Sequence, residues 1–210
     1  MKLFPILSAA LSAVAATVAL SLPVAATSFT YTATLNGASE QPANSSLGTG
    51  FVTVTLDDVT SSMNVQASFS NLTGPSGTTA AHIHCCTVVP FSGNVGVATQ
   101  TPSFVGFPLG VTSGAYTNTF DMMQAFNWNS SFITAHGGTV ASAFTAFSIG
   151  LNGGNAYFNI HTSVFPGGEI RGFLASAPVP EPGTFALLAL GLGALAFVGW
   201  RRSALETRRG

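Results

Sequence analysis

Two long apolar segments, one near each end, are unsuited to a soluble fold, so they decide how much of this 210-residue chain is left to make one. At the start, Met1-Lys2 is followed by an Ala-rich apolar stretch over residues 3–20. Val24-Ala25-Ala26 then offers small side chains where a signal peptidase reads. The expectation is a signal peptide over residues 1–26, cleaved after Ala26. At the other end, Pro180-Glu181-Pro182 precedes an apolar run over residues 184–200, long enough to cross a thin bilayer as a transmembrane helix. Arg201 and Arg202 follow and would hold that end in the cytoplasm as a membrane stop. The precursor is then anchored transiently in the inner membrane with its body outside. What remains, residues 27–176, has the size of one domain.

That middle region carries Glu40, Asp57, Asp58, Asp121, Glu169 and Arg171, five acids against one base and a net charge of −4. It has no basic patch, which argues against a nucleic-acid partner. Ser, Thr, Asn and Gly must supply solubility, a composition suited to a secreted β-protein. Strand patterns fall at 29–35, 51–56, 80–84, 95–99, 115–120, 155–161 and 169–174. The cleanest is 62–70, where Met63, Val65, Ala67 and Phe69 alternate with polar residues. Asn36-Gly37 is a hairpin-type turn signal after the first strand. Between 121 and 151 the period changes. Phe126, Phe132, Ile133, Val140, Phe144 and Phe147 predict two or three short helices with core-facing Phe side chains, stopped at His136-Gly137-Gly138 and Asn152-Gly153-Gly154. Eight short strands separated by turns predict a mainly β fold, an immunoglobulin-like sandwich or barrel with a short helical insertion.

The order Pro180-Glu181-Pro182, apolar helix and terminal arginines resembles the PEP-CTERM sorting signal of Gram-negative, exopolysaccharide-producing bacteria, over about residues 177–210. The resemblance implies an exosortase, a membrane-embedded sorting enzyme that recognises the Pro-Glu-Pro motif and removes the helix. It implies an exported protein whose mature form lies at the cell surface or in the extracellular matrix.

Within the domain, Phe29 through Asn36-Gly37 with Glu40-Gln41-Pro42, then Ala81-His82-Ile83-His84 and Gly93-Asn94-Val95-Gly96 resemble the CHRD domain. So does the closing string from Ala156 to His161-Thr162 and Pro166-Gly167-Gly168-Glu169-Ile170-Arg171-Gly172. The family implies an immunoglobulin-like β-barrel distantly similar to copper/zinc superoxide dismutases, and no settled activity. In those dismutases a strand with two histidines binds copper and a late strand supplies a third ligand. His161 occupies that place here.

On a strand, His82 and His84 project from one face, the arrangement two imidazoles need to share a metal. With His161 they make a candidate copper or zinc site. The alternative is that the rings hydrogen-bond to backbone and fix loop ends. Residues 85–92 are too few, and without His, Asp or Glu, to form the bridging-ligand loop of the dismutases. His136, beside Gly137-Gly138, suits a turn or cap. Cys85 and Cys86 are the only cysteines; in an oxidising compartment they point to a vicinal disulfide, to ligands beside His84, or to bridges between chains. Glu169 and Arg171 lie two apart, and Arg171 is expected to pair with one of the five acids in a structural ion pair, worth little if exposed.

Two functional classes follow. One is a non-catalytic surface or matrix module, acting through exopolysaccharide, matrix proteins or biofilm structure. The other is a metal-dependent redox protein related to the dismutases. No Ser-His-Asp order or paired-carboxylate cleft stands out to support hydrolase chemistry, and a non-enzyme is the expectation.

Overall fold

Period-2 alternation becomes a sheet wherever both flanking segments alternate in phase. In the computed structural model, which describes residues 28–177 and the helical residues 188–193, 195–197 and 200, eight strands form one antiparallel sheet. They are β1 (Ser28–Asn36), β2 (Thr49–Asp57), β3 (Ser62–Ser70), β4 (Thr78–Cys85), β5 (Gly114–Asp121), β6 (Ala156–Thr162), β7 (Ile170–Phe173) and β8 (Ala175–Ser176). Their order is β4-β6-β7-β1-β2-β3-β5, with β8 pairing β1, and the sheet curls into a half-barrel. The register Ala33↔Val52↔Ala67↔Tyr116 and Tyr31↔Val54↔Val65 puts every buried position of the first strands on one face. Met63, Val65, Ala67 and Phe69 all point into the core. Asp57 ends β2 by accepting the backbone N–H groups of Val59 and Thr60.

One turn expectation and one strand expectation are corrected. Asn36-Gly37 is no hairpin turn. The Asn36 side chain accepts the Ser39 N–H and caps a 3₁₀ turn over Gly37–Ser39, and Asn36 pairs with Thr49, so residues 37–48 leave the ladder as a long loop. Residues 95–99 form no strand. Only single bridges link Val97 to His84 and Thr99 to Trp128. The physical cause is local: the Thr99 hydroxyl takes the Ile83 N–H that a ladder carbonyl would have accepted.

The helices come where the period changed. Asn129 caps α1 (Ser130–Ala135), and a reciprocal Thr139–Ser142 capping box starts α2 (Val140–Asn152). Phe132, Phe144, Phe147 and Leu151 are buried, with Trp128 stacked 5.7 Å from Phe132 and edge-on to Phe147 at 5.4 Å. Phe126 departs from expectation and is 69% exposed. Its neighbours are pinned inward, Asn127 donating to the Asp121 carbonyl and the Trp128 indole to the Met122 carbonyl, so the position between them faces out.

Among the described residues no helix is long and apolar enough to cross a membrane. The expected signal peptide, Pro180-Glu181-Pro182, Arg201 and Arg202 lie outside the described residues, as does part of the expected span 184–200.

Candidate metal centre

Strand alternation sets the site. On β4, Ala81, Ile83 and Cys85 enter the core while His82 and His84 stand on the opposite face. On β6, Phe158 and Ile160 enter the core, and Tyr157, Asn159 and His161 share the face with the β4 histidines. The register His82↔Asn159, His84↔Tyr157 and Ala80↔His161 brings the three rings together. His82 lies 4.8 Å from His161 and 5.4 Å from His84, centroid to centroid.

One nitrogen of each ring is held by a backbone carbonyl. His82 Nε2 meets the Pro102 carbonyl at 3.0 Å, His84 Nδ1 that of Val95 at 2.7 Å, and His161 Nδ1 that of Pro166 at 2.9 Å. A carbonyl only accepts, so in the neutral ring each of these nitrogens carries the hydrogen and the other nitrogen carries a lone pair. Those other atoms, His82 Nδ1, His84 Nε2 and His161 Nε2, are buried and have no partner. One ligand nitrogen from each ring can be chosen so that all lie within 4.8 Å of one another. Backbone carbonyls that fix ring orientation and tautomer are the usual outer partners of metal-bound histidines.

Burial keeps the rings neutral. It pushes His82 down to about 3, with the nearby His161 and His84 adding to the shift and the Pro102 carbonyl opposing it. His84 falls to about 4, again chiefly by burial, with the Val95 carbonyl working against it and His161 and Arg171 adding to it. His161 is lowered by burial and partly restored by Pro166. Neutral imidazole is the form that binds metal. Three such nitrogens suit zinc or copper, and a carboxylate-free set does not suit calcium or magnesium. A tetrahedral ion with bonds of about 2.0–2.1 Å needs its donors about 3.4 Å apart, inside the 4.8 Å within which one ligand nitrogen of each ring lies.

The surrounding polar layer was less legible. Tyr157 stacks on His84 at 4.6 Å, and the Arg171 guanidinium lies 4.7 Å over the Tyr157 ring. Arg171 is buried, and the acid it pairs with is Glu40, at 3.9 Å. The Arg171 N–H groups donate to the Ser39 and Gly93 carbonyls and to Asn94 and Gln41, tying two loops to β7. Glu169 serves elsewhere. Fully buried, it accepts hydrogen bonds from Ser46, Thr162 and the Thr73 backbone. His136 caps α1 beside the Phe132 ring and stays away from the cluster. Cys85 and Cys86 are joined in a disulfide, with the Cys85 side chain on the core face. Neither sulfur is available to an ion beside His84.

With this arrangement in hand, the family model of the CHRD domain matches residues 31–174, more than half of the chain. The chain belongs to the CHRD domain family. A second match, to the PEP-CTERM protein-sorting motif, covers residues 178–203, directly after the CHRD domain. That order marks an exported protein recognised and sorted by an exosortase. A CHRD domain and a sorting signal are not in themselves enzymatic. No curated protein and no solved structure matches the chain significantly.

Proposed function

We propose that this CHRD domain is an exported, non-catalytic module of the cell surface or extracellular matrix that holds one copper or zinc ion through His82, His84 and His161. The observation that carries the reading is the set of three buried lone pairs. Three neutral acceptors left without donors in a low-dielectric layer cost free energy that only a cation or bound donors recover. Three protein ligands leave a position for water or a small ligand. The half-barrel and the His-x-His strand fit the immunoglobulin-like, dismutase-like barrel the family suggests. The short segment 85–92, tied off by the disulfide, supplies no bridging ligand for a second metal, which favours metal storage, scavenging or structural use over fast redox turnover.

The test is metal uptake. Titration of copper and of zinc into the purified protein is expected to saturate at one ion, with thermal stabilisation that tracks occupancy. His82→Ala/His84→Ala removes both effects. Equal uptake by the variant would overturn the assignment. Dismutation approaching the diffusion limit would promote the redox reading.

A further inference from the structure

Further along the same outward face of the sheet, beyond β7, lies a different surface. On the outward face of β1, β2, β3 and β5 the register aligns Thr32↔Thr53↔Gln66↔Thr117 and Thr34↔Phe51↔Ser68↔Ala115 across strands about 4.8 Å apart. No ionisable side chain lies in either row. A depression of about 400 Å³ is lined by Phe51, Thr53, Gln66, Ser68 and Thr117, and a second of about 290 Å³, lined by Thr49, Gly50 and Ser70 among others, shares Phe51 and Ser68 with it. The two adjoin at those residues as one shallow groove whose exposed aromatic ring is Phe51, while Tyr116 and Phe69, which also line it, are buried. Phe51 is 48% exposed and is the one large apolar side chain, among the described residues, that a β-strand holds exposed. Thr53, Ser68 and Thr117 direct their hydroxyls to this face and engage no other described residue through them.

We infer that this groove binds a neutral polysaccharide chain, with one sugar ring packed by its C–H face on Phe51 and the flanking sugars hydrogen-bonded by Thr53, Gln66, Ser68 and Thr117. The chemistry matches on each point. A pyranose offers an apolar face and a rim of hydroxyls; the groove offers an aromatic face and a rim of hydroxyls and one amide. A uronate or sulfated chain would be left without a cation, because Arg171, the only Lys or Arg of residues 28–177, is buried and its N–H groups are taken by Ser39, Gly93, Asn94 and Gln41. The groove lies on β2, β3 and β5, and β5 is the terminal strand of the sheet. The inference rests on the matrix-facing reading only for where such a chain is met, and not on the metal centre.

The test is affinity electrophoresis of the purified protein through gels containing a neutral β-1,4-glucan, a neutral β-1,3-glucan, a galactomannan or polygalacturonate, each with and without a chelator. Retardation is expected in at least one neutral gel, unchanged by the chelator, and absent in polygalacturonate. Phe51→Ala weakens it roughly tenfold. Ser68→Glu, an exposed substitution that leaves the core alone, also weakens it. No retardation by any neutral polymer, equal retardation of wild type and both variants, or retardation by polygalacturonate alone would overturn the proposal. So would a wild-type dimer that Phe51→Ala dissolves, since a second copy would then be the occupant. Loss of metal uptake with retention of glucan binding would sink the metal reading alone.

Discussion

Replacing Glu40 by glutamine tests the electrostatics of the polar layer directly. Glu40 is 8% exposed, its Oε1 has no hydrogen-bond partner, and the Oδ1 of Asn159 is orphaned as well. Both oxygens crowd the same spot beside Gly168, at 2.7 and 2.8 Å from where a Cβ would stand on that residue, whose φ is +129°. Burial raises the Glu40 carboxyl to about 7, against the opposing pull of Arg171 and of the Gln41 backbone. Arg171 does not cancel the burial term, because its N–H groups donate to other oxygens and it approaches Glu40 only to 3.9 Å. The folded value lies above the unfolded one, so the contribution is fully present below about pH 4.5 and is lost as pH rises through 7. A shift of that size corresponds to about 3 kcal/mol against the folded state at pH 8. Glutamine removes the ionisation and offers an N–H donor to Asn159, and the lost attraction of Arg171 is already contained in that shift, which the guanidinium opposes. Urea denaturation with chelator present is therefore expected to show Glu40→Gln more stable than wild type by about 3 kcal/mol at pH 8, with the difference shrinking as pH falls and gone below about pH 4.5. A variant destabilised equally at both pH values would refute the reasoning and make Glu40 a required partner of Arg171.

Three further outcomes follow. Phe69, 4% exposed and stacked on Phe107 at 5.5 Å, is expected to cost about 3–5 kcal/mol when cut to alanine, measured by urea denaturation; a loss below about 1 kcal/mol would contradict its core position. The metal-free protein should lose stability as pH falls from about 6.5 towards 4, because His82 and His84 titrate near 3 and 4 when folded and the unfolded chain binds protons first, at about 1.4 kcal/mol per pH unit for each ring. His82→Asn flattens that slope, and an unchanged slope counts against the neutral cluster. Substituting Glu181 leaves an uncleaved precursor in the inner membrane, and surface material that retains Arg201 and Arg202 by mass spectrometry would show that no exosortase removes the tail.

The features legible in the sequence are those that neighbouring residues decide. Alternation at Met63, Val65, Ala67 and Phe69 specifies a half-buried strand because side chains two apart share a face. The same rule placed His82 and His84 together. Asn129 and Thr139 mark helix starts because a cap acts within three residues. Where the pattern misled, a specific side-chain hydrogen bond had intervened: Asn36 with the Ser39 N–H, the Thr99 hydroxyl with the Ile83 N–H, and the bonds of Asn127 and Trp128 that turned Phe126 outward.

By itself, then, the chain determines its strands, its helix caps, the two-histidine face and the family to which the domain belongs, all written in short-range spacing. The tertiary structure supplied the register that brings His161, which the family resemblance had suggested, onto that face, and alone decided that the carbonyls of Pro102, Val95 and Pro166 choose each tautomer and that Glu40 and not Glu169 sits beside Arg171. Those contacts join residues up to 131 positions apart in the sequence, from Glu40 to Arg171. Strand register, loop path and burial combine to set them, and no local pattern carries that information.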